Sequence, residues 1–282
     1  MYPSRIRWAE VVEQARLVII AYEGGVTLRQ CFYRLAVAGA IPNTAAAYRK
    51  LSAHLAQARR LGGFPDLIDA VREIHAPLAY TDPGEILAQV PNLYRRDRTE
   101  HQPVTLVLAA EKDTLRAQIT SWTFEYGLPV LVLRGFSSET YVRRVRERLA
   151  ADPRPAVLAY VGDHDASGEA ILTDWLARTS GCWSSVERIA LTHEQVLAYA
   201  LPAAPGKAGD PRWPAFAARH DLDPVAPAQW EAEALDPAEL RRLIEATIAR
   251  WIDQQAWQQA IDDERHDIEL LRQFVRSWPH PR

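Results

Sequence analysis

Four apolar runs, VTLVLAA (104–110), LPVLVLRG (128–135), PAVLAYVG (155–162) and VERIALT (186–192), alternate with helical stretches at 113–126, 138–150 and 167–178. No other feature restricts the fold as strongly. Runs that are apolar at nearly every position suit strands covered on both faces, and a helix between successive strands suits parallel pairing. The expectation is an α/β, doubly wound domain with a parallel sheet of about four strands.

The texture before and after this block is different. Residues 5–22 place Ile6, Val11, Ala15, Val18 and Ile19 at helical spacing, and the glycines at 24–25 stop that helix. Thr27 is a candidate N-cap for a second helix, LRQCFYRLAVAG, and Thr44 for a third, AAAYRKLSAHLAQARRLG. Helix, helix, short turn and basic helix is the order of a helix-turn-helix. GFPDLIDAVREI after it suits a wing or a further short helix. Residues 75–103 are polar and rich in proline and read as a connection, with a short helix around 83–90. Residues 193–236 are loop-rich, and from Pro237 to about Trp278 runs a long helical region, with a break expected near Asp262-Asp263.

The net charge of −3 hides an uneven distribution. From Thr27 to Phe64 there are six cations (Arg29, Arg34, Arg49, Lys50, Arg59, Arg60) and no acid, whereas from Asp221 onward thirteen acids face seven cations. An acid-free basic segment suits a polyanion, although a solvated helix face has the same composition. The two cysteines, Cys31 and Cys182, lie far apart, which argues against a zinc ribbon or a disulfide framework and fits a reducing cytoplasm. The N-terminus lacks a signal-peptide core, and runs such as LVIIAY are far too short to span a bilayer.

The stretch AYVGDHDASGEAI carries the chemistry. Ligands of α/β sheets bind outside the carboxyl ends of the strands. Asp163 lies just past a strand, and in extended chain Asp163 and Asp165 share a side while His164 points away. Glu111 ends the first strand at the same sheet edge. Three oxygen donors there suit Mg²⁺ or Mn²⁺, and Gly168 lets the next helix start close against the sheet. Two other readings stay open. An EF-hand loop would use Asp163, Asp165, Ser167 and Asp174, but it needs a preceding helix and normally a terminal glutamate. A helix cap explains one aspartate and neither the other nor Glu111.

Glu111 after a first strand and Asp163-x-Asp165-x-x-Gly168 after a third resemble the TOPRIM domain of topoisomerases, primases and some nucleases. TLRQCFYRLAVAG resembles the winged-helix active-site segment of the topoisomerase VI A subunit and the related meiotic double-strand-break protein, in which an arginine is followed closely by two aromatics. The family's catalytic tyrosine aligns with Tyr33, preceded here by Phe32. The resemblance covers roughly residues 20–200, and QWEAEALDP is similar to the family's acidic segment after the TOPRIM core. It implies a short, bacterial or phage-like version of that family. The expected layout is a winged-helix-like DNA-binding domain at 1–75, a linker at 76–103, a TOPRIM domain at 104–200 and a C-terminal loop and helical extension at 201–282.

The resemblance also implies a mechanism. Mg²⁺ (or Mn²⁺) at Glu111, Asp163 and Asp165 would stabilise charge during DNA cleavage, and Tyr33 would form a 5′-phosphotyrosyl link. Arg29, one turn before Tyr33, is the candidate to ease loss of the phenolic proton, whose ordinary pKa is about 10. Arg34, Arg49, Lys50, Arg59 and Arg60 are the expected contacts to double-stranded DNA. Family members act as homodimers in which the tyrosine of one subunit meets the metal of the other. No GxxxxGK[ST] loop is present, so strand passage would need a separate ATPase partner. Two alternatives are a hydrolytic TOPRIM nuclease without a covalent intermediate and a non-catalytic DNA-binding or assembly factor.

Overall fold

The computed structural model describes residues 6–22, 25–68 and 77–278. Helices α1 (Trp8–Ile20), α2 (Leu28–Val37) and α3 (Ala45–Arg60) pack around one apolar core that includes Val11, Ala15, Phe32, Leu35, Leu51 and Leu55. Both predicted caps form. The Thr27 hydroxyl accepts from the Gln30 amide while the Gln30 side chain accepts from the Thr27 amide, and Thr44 accepts from the Ala47 amide. The second half of the proposed wing, 69–74, lies outside the described residues. Just before it, Ile68 bridges to Thr27 in parallel. Helix α4 (Pro83–Leu93) begins at the Asp82 cap with proline in its first turn.

The central sheet has four parallel strands, β1 (Thr105–Ala110), β2 (Val130–Val132), β3 (Ala156–Val161) and β4 (Ser185–Ala190), in the order β2-β1-β3-β4. Helices α5 (Asp113–Thr123), α6 (Glu139–Ala150) and α7 (Ala166–Arg178) connect them. Alternation within the strands explains the continuous apolar runs. Leu106, Leu108 and Ala110 join Val157, Ala159 and Val161 in one core, while Val107, Ala109, Leu158 and Tyr160 point into another. The second core is closed by Val142, Val145 and Leu149 of α6 and Ile171 and Trp175 of α7.

Beyond the sheet the chain is less loop-like than its composition suggests. It forms α8 (His193–Ala198), α9 (Trp213–His220) and a two-stranded antiparallel ribbon of β5 (Ala204–Pro205) and β6 (Ala228–Gln229). Helix α10 (Pro237–Trp251) buries Leu240, Ile244 and Ile248 in the first core, with Leu115 and Ile119 of α5. Burial of a side chain of this size contributes about 1.5–3 kcal/mol. Helix α11 (Gln254–Ser277) follows.

The break between α10 and α11 falls at Asp253, not at Asp262-Asp263. Asp253 caps α11, and Gln102 brackets its peptide by accepting from the amide at 2.7 Å and donating to the carbonyl at 3.1 Å. Within the helix, Asp262 and Asp263 accept from Gln258 and Gln259 one turn earlier. The expected linker is docked as well: Tyr94 and Arg96 bond Asp267, and Arg98 pairs with Glu264. Among the described residues no helix is long and apolar enough to cross a membrane.

Candidate functional site

Glu111 and Asp163 follow β1 and β3, neighbouring strands in register, so the sheet itself brings them together. Both are buried, and Glu111 Oε2 accepts from the Asp163 amide at 3.0 Å and from the Tyr160 hydroxyl at 3.2 Å. Gly168 makes the approach possible. A Cβ there would sit 2.6 Å from the Asp163 carbonyl oxygen and 3.0 Å from Glu111 Oε2, so any larger residue would push α7 off the sheet edge.

Asp165 behaves differently from the other two acids. Its Oδ1 accepts from the Gly168 amide at 2.6 Å and caps α7. The cap reading therefore holds for this residue, and a strand rather than a helix precedes the turn, which removes the EF-hand. Asp165 also lines a small pocket with Lys207 and Asp210. The three predicted ligands thus share one sheet edge, with two in contact and the third committed by one oxygen to a helix end.

Four further residues complete the site. Lys112 Nζ reaches Asp163 Oδ2 at 2.6 Å and Glu231 Oε2 at 3.1 Å. Arg29 of α2 pairs with Glu231, and its Nε lies 3.8 Å from Glu233. Asp163 Oδ1 accepts from the Ala232 amide at 2.9 Å, which ties the acidic segment to the strand end. Four carboxylates (Glu111, Asp163, Glu231, Glu233) consequently face two cations (Lys112, Arg29), a deficit of two positive charges.

The electrostatics carry the mark of that deficit. Burial, reinforced by Asp163, raises the Glu111 carboxyl to about 7. Burial likewise raises Glu233 to about 7, and neither of its oxygens has a hydrogen-bond partner among the described residues. Burial also raises Asp163. Burial opposes the charges of Glu231 and Lys112 but is outweighed: Lys112 and Arg29 hold Glu231 below the usual carboxylate range, and Asp163, then Glu231, hold Lys112 above the usual amine range. An all-oxygen donor set, short of two positive charges and holding an unpartnered buried carboxylate, fits a hard divalent cation.

A cleft of about 720 Å³ opens over this cluster. Glu111, Lys112 and Glu233 of the cluster line it together with Arg29 of α2 and Tyr48, Ser52 and Arg59 of α3. Arg49, Lys50, Arg59 and Arg60 are exposed on α3, opposite its buried Ala47, Leu51 and Leu55, and no ion pair engages them among the described residues. Arg34 does not belong with them. Its guanidinium donates to the Ala234 carbonyl and pairs with Asp236 at 3.3 Å, so it fastens α2 to the acidic segment instead of facing solvent.

Tyr33 is buried at 4% exposure in the N-terminal core, edge-on to Phe32 with ring centroids 5.3 Å apart. Burial first and the Glu231 charge next raise its pKa well above the ordinary phenol value. Arg29 acts in the other direction, the one expected of it, and is outweighed by burial and by Glu231.

Sequence reasoning missed Lys112, Tyr48 and the separate parts played by Glu231 and Glu233. Lys112 directly follows Glu111 at the strand end, a signal that could have been read. Nothing local marks Tyr48 as lining a cleft. No protein-family model matches the chain, and no curated protein matches its sequence.

Proposed function

We propose that this chain cleaves DNA with a bound Mg²⁺ or Mn²⁺, in the manner of the topoisomerase VI A subunit, using a TOPRIM-like sheet edge and a winged-helix-like helical bundle. The observation that carries the reading is the contact of Glu111 and Asp163 at the ends of adjacent parallel strands, beneath a cleft that Tyr48, Ser52 and Arg59 of the basic helix α3 also line. Glu111 and Asp163, with the free oxygen of Asp165, would hold the metal. When bound, the metal would supply charge stabilisation at the scissile phosphate and the leaving oxygen. Lys112 holds the Asp163 carboxylate in place, and Arg29 holds Glu231. Arg59 lines the cleft, Arg49, Lys50 and Arg60 are exposed on the same helix, and together they would meet phosphates of the DNA. Tyr33 is the nucleophile that the resemblance implies, and its attack requires that the phenol leave the core. A homodimer, with the tyrosine of one subunit meeting the acids of the other, and a separate ATPase partner belong to the same reading.

A hydrolytic variant of the reaction is the second reading, and the burial of Tyr33 favours it. The two separate on supercoiled plasmid with Mg²⁺, with and without protease before electrophoresis. Cleavage in the wild type, DNA recovered on a peptide containing Tyr33, and no cleavage by Tyr33→Phe support the tyrosine. Cleavage by Tyr33→Phe at the wild-type rate with no adduct selects the hydrolytic reaction, and wild-type cleavage in excess chelator removes the metal from both. Neutralising Arg49 and Lys50, or Arg59 and Arg60, should flatten the salt dependence of DNA binding, by about 0.9 in the log–log slope for each phosphate that the protein no longer neutralises. An unchanged slope would leave α3 a solvated surface.

A further inference from the structure

The β3–α7 turn has a second side. His164, between the two aspartates, is 2% exposed and points away from the acids toward His193, at the start of α8, and His220, at the end of α9. Its ring centroid lies 5.3 Å from that of His193 and 4.6 Å from that of His220, and the remaining pair is 5.0 Å apart. One ring nitrogen from each of the three falls within 4.8 Å of the others. His164 Nε2 and His193 Nδ1 are 3.2 Å apart. Two imidazoles on one tetrahedral Zn²⁺, with Zn–N of about 2.0–2.1 Å, have their nitrogens about 3.3 Å apart, so this edge already has the required length.

The surroundings also suit an ion. His220 Nε2 is 2.8 Å from Glu169 Oε1, and Arg219 pairs with the same carboxylate. A carboxylate on one ring nitrogen fixes the tautomer and leaves the lone pair on the other, the usual support for a metal-binding histidine. Phe216 and Trp230 pack against His164, with centroids 5.0 Å and 5.6 Å away, and shield one side of the cluster from water. The His164 and Trp230 backbones exchange hydrogen bonds of 2.8 Å and 3.2 Å, which holds the ligand-bearing turn.

We propose that His164, His193 and His220 form a site for a borderline transition-metal ion of the Zn²⁺ class, distinct in chemistry and position from the carboxylate cluster. Three imidazole nitrogens select Zn²⁺, Co²⁺ or Ni²⁺ over Mg²⁺, and a water completes the coordination. The ion joins three segments, the β3–α7 turn, α8 and α9, and so pins the peptide that carries Asp163 and Asp165. The proposal stands whether or not the chain cleaves DNA.

Full-length protein, stripped with chelator and dialysed, is titrated with Zn²⁺ alone by calorimetry and with Co²⁺ alone by visible absorption. One equivalent is expected, with the intense visible bands of tetrahedral Co²⁺ and a raised Tm. His193→Ala and His220→Ala, each checked by circular dichroism, should lose binding, and Glu169→Gln should weaken it by about 10–100-fold. Glu111→Gln should bind Zn²⁺ as the wild type does. Because His193 and His220 are only half-buried, a folded variant is expected for at least one of them. Undiminished binding in a folded histidine variant, loss of binding in Glu111→Gln, or no Zn²⁺ binding by the wild type overturns the site.

Discussion

The carboxylate side and the imidazole side of the β3–α7 turn differ in how their members are brought together and in how their charge is balanced. On one side Glu111 and Asp163 sit at the ends of two paired strands, with Lys112 beside them in sequence, so the sheet register alone assembles the centre. On the other side His164, His193 and His220 come from three segments and meet only because α8 and α9 fold back over the turn. The acid side is short of positive charge and holds two carboxyls raised to about 7. The histidine side is the reverse: burial, with the nearby histidines and Arg188, lowers His164 to about 3 and keeps it neutral. Hard oxygen donors and neutral nitrogen donors select different ions. The difference teaches that a single extended tripeptide, by alternating its side chains, can serve two chemistries with no residue in common.

The largest effect expected from separating the two sides is on cleavage. Asp163→Asn should reduce Mg²⁺-dependent plasmid cleavage by at least about 100-fold, because several kcal/mol of charge stabilisation go with the metal. Equal cleavage rates for the variant and the wild type would sink the acid side as a metal centre. Gly168→Ala comes next. Its new Cβ meets the Asp163 carbonyl, and chemical denaturation should show a loss of about 3 kcal/mol, the upper end for overpacking. A variant as stable as the wild type would mean that α7 has room to retreat.

The pH dependence sharpens the charge contrast. The Glu233 carboxyl is raised from the ordinary 4.5 to about 7 in the folded protein, so the folded state holds this proton more tightly than the unfolded chain. Its contribution to stability is therefore complete below about pH 4.5 and is lost as the pH rises toward 7. Glu233→Gln removes the ionisation, and at pH 8 in metal-free buffer it should be more stable than the wild type by roughly 2 kcal/mol. The gain should vanish at pH 4. Equal melting curves at pH 8 would show that the carboxylate is paired after all.

The smallest effect concerns Asp165. Asp165→Ala removes the α7 cap and should cost about 1 kcal/mol by denaturation. Asp165→Asn keeps a capping oxygen and should keep that stability. Loss of cleavage in the asparagine variant then reports the second carboxylate oxygen at the metal, and full cleavage would make Asp165 a cap alone.

What could be read from the sequence follows a physical division. The strand runs, the helices between them and the Thr27 and Thr44 caps depend on neighbours within a few residues, and all of them are found. The edge positions of Glu111 and Asp163 follow from the same local pattern once the strands are taken as parallel. The charge asymmetry was legible but its use was not. Two of the six cations, Arg29 and Arg34, pair with acids about 200 positions away, while the α3 cations remain on the surface. Composition cannot separate these cases, because both occur on amphipathic helices.

By itself the sequence determined the α/β class, the parallel sheet, the order of its elements and the acids at its carboxyl edge, since periodicity and capping act over a single turn or strand. Only the tertiary structure decided that Tyr33 is buried, that the α10–α11 break falls where Gln102 brackets Asp253, and that Glu231 pairs with Lys112 and Arg29. It alone joined three histidines whose spacings, 29 and 27 residues, match no metal-binding motif. Those meetings depend on how segments pack after the chain has turned back on itself, and a short window of residues carries no record of that.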